Sequence, residues 1–131
     1  MDERTFKERT KKLALQVIRV VESLPRSRSA DVIGKQLLRS ATSVGANYRA
    51  ACRGKSASDV IAKLGIVEEE ADESIYWMEL LVDGGFVPAA ALKDLLAEMN
   101  EVVAMTVASI KTLRSRANSP QPKNQNLKSK I

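Results

Sequence analysis

Histidine and cysteine, which most nucleophilic active sites require, are nearly missing from this chain. It contains no histidine, which excludes Ser-His-Asp and Cys-His nucleophilic sites and the Glu-x-x-His pattern of di-iron bundles. Its single cysteine, Cys52, falls at the edge of the apolar face of a predicted helix. We interpret it as a buried core thiol; a reactive thiol is the minor alternative, since Arg49 and Arg53 would lower the pKa of an exposed Cys52.

Acidic residues with metal-site spacing are the remaining catalytic candidates. Glu69, Glu70 and Glu73 match the EExxE pattern of all-helical nucleotide pyrophosphatases, which hold magnesium because hard oxygen ligands suit that ion. Glu98 and Glu101 offer a second pair, with Glu101 standing where those enzymes have an aspartate. Short acidic patterns are common on solvated helices, so a carboxylate-metal nucleotide hydrolase is a minor alternative. We expect no enzyme, no cofactor and no metal site.

Basic residues concentrate in one segment of the chain. Residues 26–55 hold seven bases and one acid, whereas residues 56–85 hold one base and eight acids. Four cations share one face of the predicted second helix, within about 80° of arc: Lys35, Arg39, Arg49 and Arg53. Three interpretations remain open: contact with nucleic-acid phosphates, contact with the acidic third helix of a neighbouring bundle, or an ordinary solvated face.

Four amphipathic segments must position these side chains. Apolar residues recur at steps of three and four, which is typical of helices with one buried face. The predicted helices run from Glu3 to Leu24, from a cap at Ser29 or Asp31 to Arg53, from a cap at Ser56 or Ser58 to Val82, and from Ala89 to Arg116. Pro25, Gly54 and Pro88 mark the joints.

Long helices with short connections predict an all-α fold, an antiparallel up-down-up-down four-helix bundle over residues 1–116. Residues 117–131 are polar and contain two prolines and three lysines. We interpret them as a flexible basic tail.

The predicted third helix has a second apolar side. Ile66, Trp77 and Leu80 lie opposite part of its core-facing stripe, with Glu73 beside them. A helix in an isolated bundle needs one buried face, and tryptophan is favoured at interface centres. This side therefore predicts an oligomer interface; the alternative is that Trp77 packs at the edge of its own bundle.

Composition bounds the partner and the compartment. The formal charge is +5, which suits an acidic partner such as RNA or DNA. The few aromatic residues form no stacking platform, so we expect backbone-directed binding and not base reading. The charged N-terminus, the lone cysteine and the lack of a long uncharged stretch predict a cytoplasmic protein with no membrane contact.

One stretch resembles a known family. The run Leu38–Tyr48, LRSATSVGANY, resembles the LRRAxxSIxANIAEG signature of the bacterial four helix bundle proteins, also called the 23S ribosomal RNA intervening-sequence protein family. Residues 53–56 and 63–74 resemble its second-helix exit and third helix, and the likeness covers about residues 6–114. The family often continues with Ala-Glu-Gly where this chain has Arg49-Ala50-Ala51, which indicates a subfamily.

The resemblance implies a homopentamer of antiparallel bundles. It also implies kinship with the accessory variability protein of diversity-generating retroelements, which binds nucleic acid and a reverse transcriptase. Asn47 belongs to the signature, and a mid-helix asparagine has a propensity cost, so we expect its amide to bond at a helix or subunit contact. Small residues nearby would admit a close helix: Ala41, Gly45 and Ala46.

These observations predict a non-enzymatic, oligomeric, basic accessory protein. It would bind nucleic acid through Lys35, Arg39, Arg49 and Arg53, beside a reverse transcriptase or other RNA-related machinery. The predicted oligomer interface comprises Asn47, Ile66, Glu73, Trp77 and Leu80. The alternative is a protein-interaction scaffold without nucleic-acid binding.

Overall fold

The computed structural model describes residues 2–118 and confirms the predicted all-α bundle. Its four helices are α1 (Glu3–Glu22), α2 (Arg28–Cys52), α3 (Ala57–Asp83) and α4 (Ala89–Ala117). The predicted basic tail, 117–131, lies outside the described residues from residue 119 onward. None of the described helices has the length and apolar character that crossing a membrane requires.

Side-chain caps fix the starts of the first three helices. The Asp2 carboxylate accepts the Thr5 amide at 2.7 Å, and Ser56 Oγ accepts the Asp59 amide at 3.1 Å, which confirms Ser56 as the cap of α3. Helix α2 begins earlier than predicted, because Ser27 is its cap and Ser27 Oγ accepts the Ala30 amide at 3.0 Å. Asp31 lies instead in the first turn, where its charge suits the helix dipole.

Helix α1 ends two residues before the predicted Leu24. The Ser23 amide bonds to carbonyls up to one turn back, and the Leu24 amide donates to the Val21 carbonyl at 3.2 Å. These tightened i−3 bonds close the last turn before Pro25 can disrupt it. The loop to α2 therefore lies nearer the N-terminus than the sequence pattern predicts, because α1 ends earlier and α2 also begins earlier.

Contacts between helices establish an antiparallel order. A β-carbon on Gly45, late in α2, would lie 3.2 Å from Thr10 Oγ1, early in α1. A β-carbon on Gly34, early in α2, would lie 2.8 Å from Leu24 Cδ1, just past α1. The start of α1 thus packs beside the end of α2, and the end of α1 beside the start of α2. The two helices therefore run in opposite directions. Helices α2 and α3 share the most extensive contact, and among the helices that are adjacent around the bundle α1 and α4 share the least.

The core runs along the bundle axis and takes side chains from every helix. Its largest fully buried members are aromatic and aliphatic: Phe6, Leu13, Val17, Leu37, Tyr48, Leu64, Met78, Leu81, Leu92, Met99 and Leu113. One polar contact lies among them, because Ser74 Oγ donates to Ser40 Oγ at 2.8 Å. This bond joins α2 to α3 and helps to fix their register, since a buried hydroxyl without a partner is costly.

Candidate functional site

Arg39, at the centre of the predicted basic stripe, is paired within its own chain. Its Nη1 donates to Glu70 Oε2 at 3.0 Å, and its Nη2 binds the Glu73 carboxylate. Both acids lie on α3, so the predicted contact between the basic second helix and an acidic third helix occurs inside one bundle. Arg39 therefore joins α2 to α3, and its guanidinium is not free to bind a phosphate without breaking these bonds.

The other three residues of the basic stripe differ in whether a carboxylate of the same chain pairs with them. The Lys35 ammonium lies 3.5 Å from the Asp31 carboxylate one turn earlier, and both side chains are well exposed, so this pair is weak. Arg49 and Arg53 are exposed and form no ion pair with any residue between 2 and 118. The free positive charge of the stripe thus concentrates at the C-terminal end of α2.

Two lysines that the sequence prediction missed lie beside Arg49. Lys7 and Lys11, on α1, line a groove between α1 and α2 whose other wall includes Arg49. These lysines are one turn apart and share a face of α1, which is the signal that the sequence carried. Their proximity to Arg49 depends on how α1 and α2 pack, which periodicity alone does not give.

The carboxylates of the proposed metal site do not come together. Glu70 and Glu73 bind Arg39 on the flank of α3 that faces α2. Glu98 points from α4 to α1, where its two oxygens accept Arg9 Nε at 2.9 Å and Arg9 Nη2 at 2.7 Å. Within residues 2–118, no three carboxylate or thiol side chains converge as metal ligands. Glu70 and Glu73 are thus engaged by Arg39 and Glu98 by Arg9, and the carboxylate-metal hydrolase stays a minor hypothesis.

Cys52 is a core residue. Its side chain is buried, and burial, with a further contribution from neighbouring Glu3, raises the pKa of its thiol to about 11. The interpretation as a buried core thiol is confirmed, and the raised pKa disfavours the nucleophilic thiolate. Burial also raises the pKa of the adjacent Tyr48 hydroxyl.

The predicted interface residues of α3 lie on the flank that carries Glu70 and Glu73. Ile66 is 37% exposed, whereas Trp77 and Leu80 are half-buried and Trp77 packs against the core. Tyr76, which the sequence prediction missed, is 53% exposed, and its ring centroid lies 5.1 Å from that of Trp77. The flank thus combines apolar and aromatic side chains with the ion pairs of Arg39, and Trp77 is partly covered by its own bundle.

Glu73 and Asn47 both satisfy their polar groups within the chain. The Glu73 carboxylate binds Arg39, so it needs no neighbouring subunit for charge compensation. Asn47 Nδ2 donates to the Ser43 carbonyl at 2.8 Å, one turn earlier in α2. Within the single chain, this amide thus bonds inside its own helix, and a contact of Asn47 with a neighbouring subunit stays a prediction. Gly45 does admit a close helix, but that helix is α1 of the same chain.

Comparisons with known proteins agree with this fold. The sequence model of the family described as 23S rRNA-intervening sequence protein matches residues 3–108. A crystal structure of a protein of unknown function from the S23 ribosomal protein family of Bacteroides thetaiotaomicron is similar, with a TM-score of 0.75 and 31% sequence identity. That similarity covers 80% of this chain and 97% of the other. No curated protein matches this chain.

Proposed function

Because this chain belongs to the 23S rRNA-intervening sequence protein family, we propose that it is a non-enzymatic accessory protein that binds nucleic acid through phosphate contacts. The observation that carries the proposal is the exposed and unpaired state of Arg49 and Arg53 at the end of α2. Arginine presents a planar fork of donors that matches phosphate oxygens. Two such forks without a carboxylate partner favour an anionic ligand.

Charge segregation supports the same proposal. Residues 26–55 carry a net charge of +6, from seven bases and one acid, while the acids concentrate in residues 56–85. The internal pairing of Arg39 with α3 neutralises the middle of the basic stripe, and the end near Arg49 stays positive. A local positive field of this kind attracts a polyanion, and salt weakens the attraction.

The direct test reverses the two unpaired arginines and leaves Arg39 in place. Arg49→Glu with Arg53→Glu should reduce affinity for a labelled RNA or DNA oligonucleotide by at least tenfold, measured by fluorescence anisotropy over a salt series. The slope of log affinity against log salt should become shallower by about one for each phosphate contact removed. Sparing Arg39 matters because its reversal would also break the contact between α2 and α3.

A matched control carries the same change in net charge elsewhere. Lys93→Glu with Lys111→Glu alters two exposed lysines of α4 and should reduce affinity far less. Equal losses from the two double variants would mean that only total charge matters, and the α2 site would be rejected.

A second candidate function is a protein-interaction scaffold. The exposed Ile66 and Tyr76 beside Trp77 favour it, because aromatic and aliphatic side chains supply most interface energy. The two functions are compatible if this flank of α3 forms an oligomer and the basic end of α2 binds nucleic acid. A reverse transcriptase or other RNA-related machinery is the protein partner that we propose, on the family resemblance alone.

A further inference from the structure

We propose that the groove between α1 and α2 seats the sugar-phosphate backbone of a single nucleic-acid strand, with Lys7 and Lys11 on one side and Arg49 on the other. This inference rests on the proposed function and specifies both the site and the form of its ligand. It moves the centre of binding from the face of α2 to a cleft that two helices build together.

The groove has the size and floor that such a ligand needs. It has a volume of about 400 Å³. Its floor is made of small side chains: Thr10, Ala14, Thr42, Gly45 and Ala46. The two helices meet closely at the base, since a β-carbon on Gly45 would lie 3.2 Å from Thr10 Oγ1. Because no large side chain fills the space above this contact, the groove is open to a ligand.

The rim of the groove carries a net positive charge. Lys11 and Arg49 pair with no carboxylate in the described part of the chain, while the Lys7 ammonium lies 3.4 Å from Glu3 in a half-buried pair. Glu8 is the one acid on the rim, and its carboxylate lies 3.4 Å from Arg4 Nε. Three lining cations against one lining carboxylate favour an anion.

The spacing of the cations favours an extended chain of phosphates. Lys7 and Lys11 are separated by one turn, about 6 Å along α1, which is comparable to the distance between neighbouring phosphates of a strand. The groove follows the line along which α1 and α2 meet, so its length runs parallel to the row formed by Lys7 and Lys11. A duplex presents a broad convex surface that meets the rim but not the floor.

The test compares single neutralising substitutions around the groove. Lys11→Gln and Arg49→Gln should each weaken binding of a fluorescein-labelled single-stranded RNA or DNA at least threefold, by anisotropy at low salt. Lys12→Gln is the matched control, because Lys12 is the next residue of α1 and is exposed but lies outside the groove. It should change affinity less than twofold. Glu8→Gln removes the opposing carboxylate and should strengthen binding.

The outcomes separate this inference from the function on which it rests. If the wild-type protein binds neither single strands nor duplexes, the proposed function fails. If it binds but Lys11→Gln behaves like Lys12→Gln, or a duplex of equal length binds as tightly as the single strand, the groove assignment fails and the proposed function survives. Circular dichroism of each variant checks that the bundle is intact, so that a loss reports on the groove.

Discussion

Gly54, which follows α2, is in crowded surroundings, whereas Gly65, which lies within α3, is in open surroundings. A β-carbon on Gly65, within α3, would meet no atom within 4 Å, whereas one on Gly54 would lie 2.4 Å from Val60 Cγ2 and 3.0 Å from the Ala51 carbonyl oxygen. Gly54 also has no positive φ, which among the described residues only Gly85 adopts. Gly54 is thus required for close packing after α2 and not for a left-handed turn.

We expect Gly65→Ala to stabilise the protein and Gly54→Ala to destabilise it. Alanine at an open helix position raises the free energy of unfolding by about 0.5–1 kcal/mol, because glycine loses more backbone entropy on folding. At Gly54 the new methyl must displace α3 or the end of α2. Urea denaturation followed by circular dichroism measures both; a loss of stability from Gly65→Ala would contradict the open surroundings.

Cys52 should react slowly with thiol reagents in the folded protein, and its ionisation should lower the free energy of unfolding at alkaline pH. The folded-state pKa of about 11 lies above the ordinary 9.0, so the neutral thiol favours the folded state. That contribution is complete below pH 9 and is lost as pH rises through 11. A thiol reagent at pH 8 should label Cys52 slowly in the native protein and quickly in denaturant. Equally fast labelling in both states would contradict the burial of the thiol.

Between elements, α1 depends on few connections to the rest of the bundle. It packs on α2 through Thr10 and Gly45, but its contact with α4 is sparse. The bidentate ion pair between Arg9 and Glu98 connects α1 to α4 with hydrogen bonds of 2.7 and 2.9 Å. Hydrogen bonding to the Glu98 carboxylate raises the pKa of the Arg9 guanidinium. A bidentate geometry of this kind is worth more than a single surface contact.

A double-mutant cycle should therefore find coupling between Arg9 and Glu98. We expect Arg9→Ala and Glu98→Ala to share a coupling energy of about 1 kcal/mol, since the pair is partly shielded from solvent. The exposed pair of Arg4 and Glu8, with Nε and Oε1 3.4 Å apart, is the control and should couple by less than about 0.5 kcal/mol. Denaturant titrations of each cycle give both values, and equal couplings would contradict a special role for the α1–α4 pair.

At the scale of the whole molecule, the basic groove and the partly exposed apolar side chains of α3 lie on different helices. The groove with Lys7, Lys11 and Arg49 lies between α1 and α2, whereas Ile66 and Trp77 lie on the flank of α3 whose acids bind Arg39. An apolar flank is suited to a permanent contact between copies, and a basic groove to a ligand that salt can release. The two proposed activities, assembly and nucleic-acid binding, would therefore use separate surfaces.

Assembly should depend on the flank of α3. We expect the wild-type protein to be an oligomer at high and low salt, a pentamer on the family resemblance, and Ile66→Asp to reduce its mass in light scattering. Leu15→Asp, at a similarly exposed position of α1 (47% against 37%), should leave the mass unchanged. A monomeric wild type, or a mass that falls only with Leu15→Asp, would reject this interface.

The sequence by itself determined the four helices, their order and the family. Apolar residues at steps of three and four define a buried face for any helix that carries them, and a capping serine such as Ser56 defines a helix start wherever the fold places it. The lack of histidine and the accumulation of bases in residues 26–55 are properties of composition, so they too were available at once. Errors of the fold prediction were confined to boundaries, as at Ser27, where several polar residues compete for the cap.

Only the tertiary structure decided which charged side chains meet. Residue spacing shows that Arg39 and Arg49 share a face of α2. It does not show that Glu70 and Glu73 of α3 pair with Arg39, or that Arg49 has no such partner. The same limit applies to Lys11, which reaches the groove because α1 packs against α2 at Gly45. The physical reason is that periodicity fixes a face within one helix, whereas a neighbour depends on the rotation and axial offset of two helices, which the core packing sets.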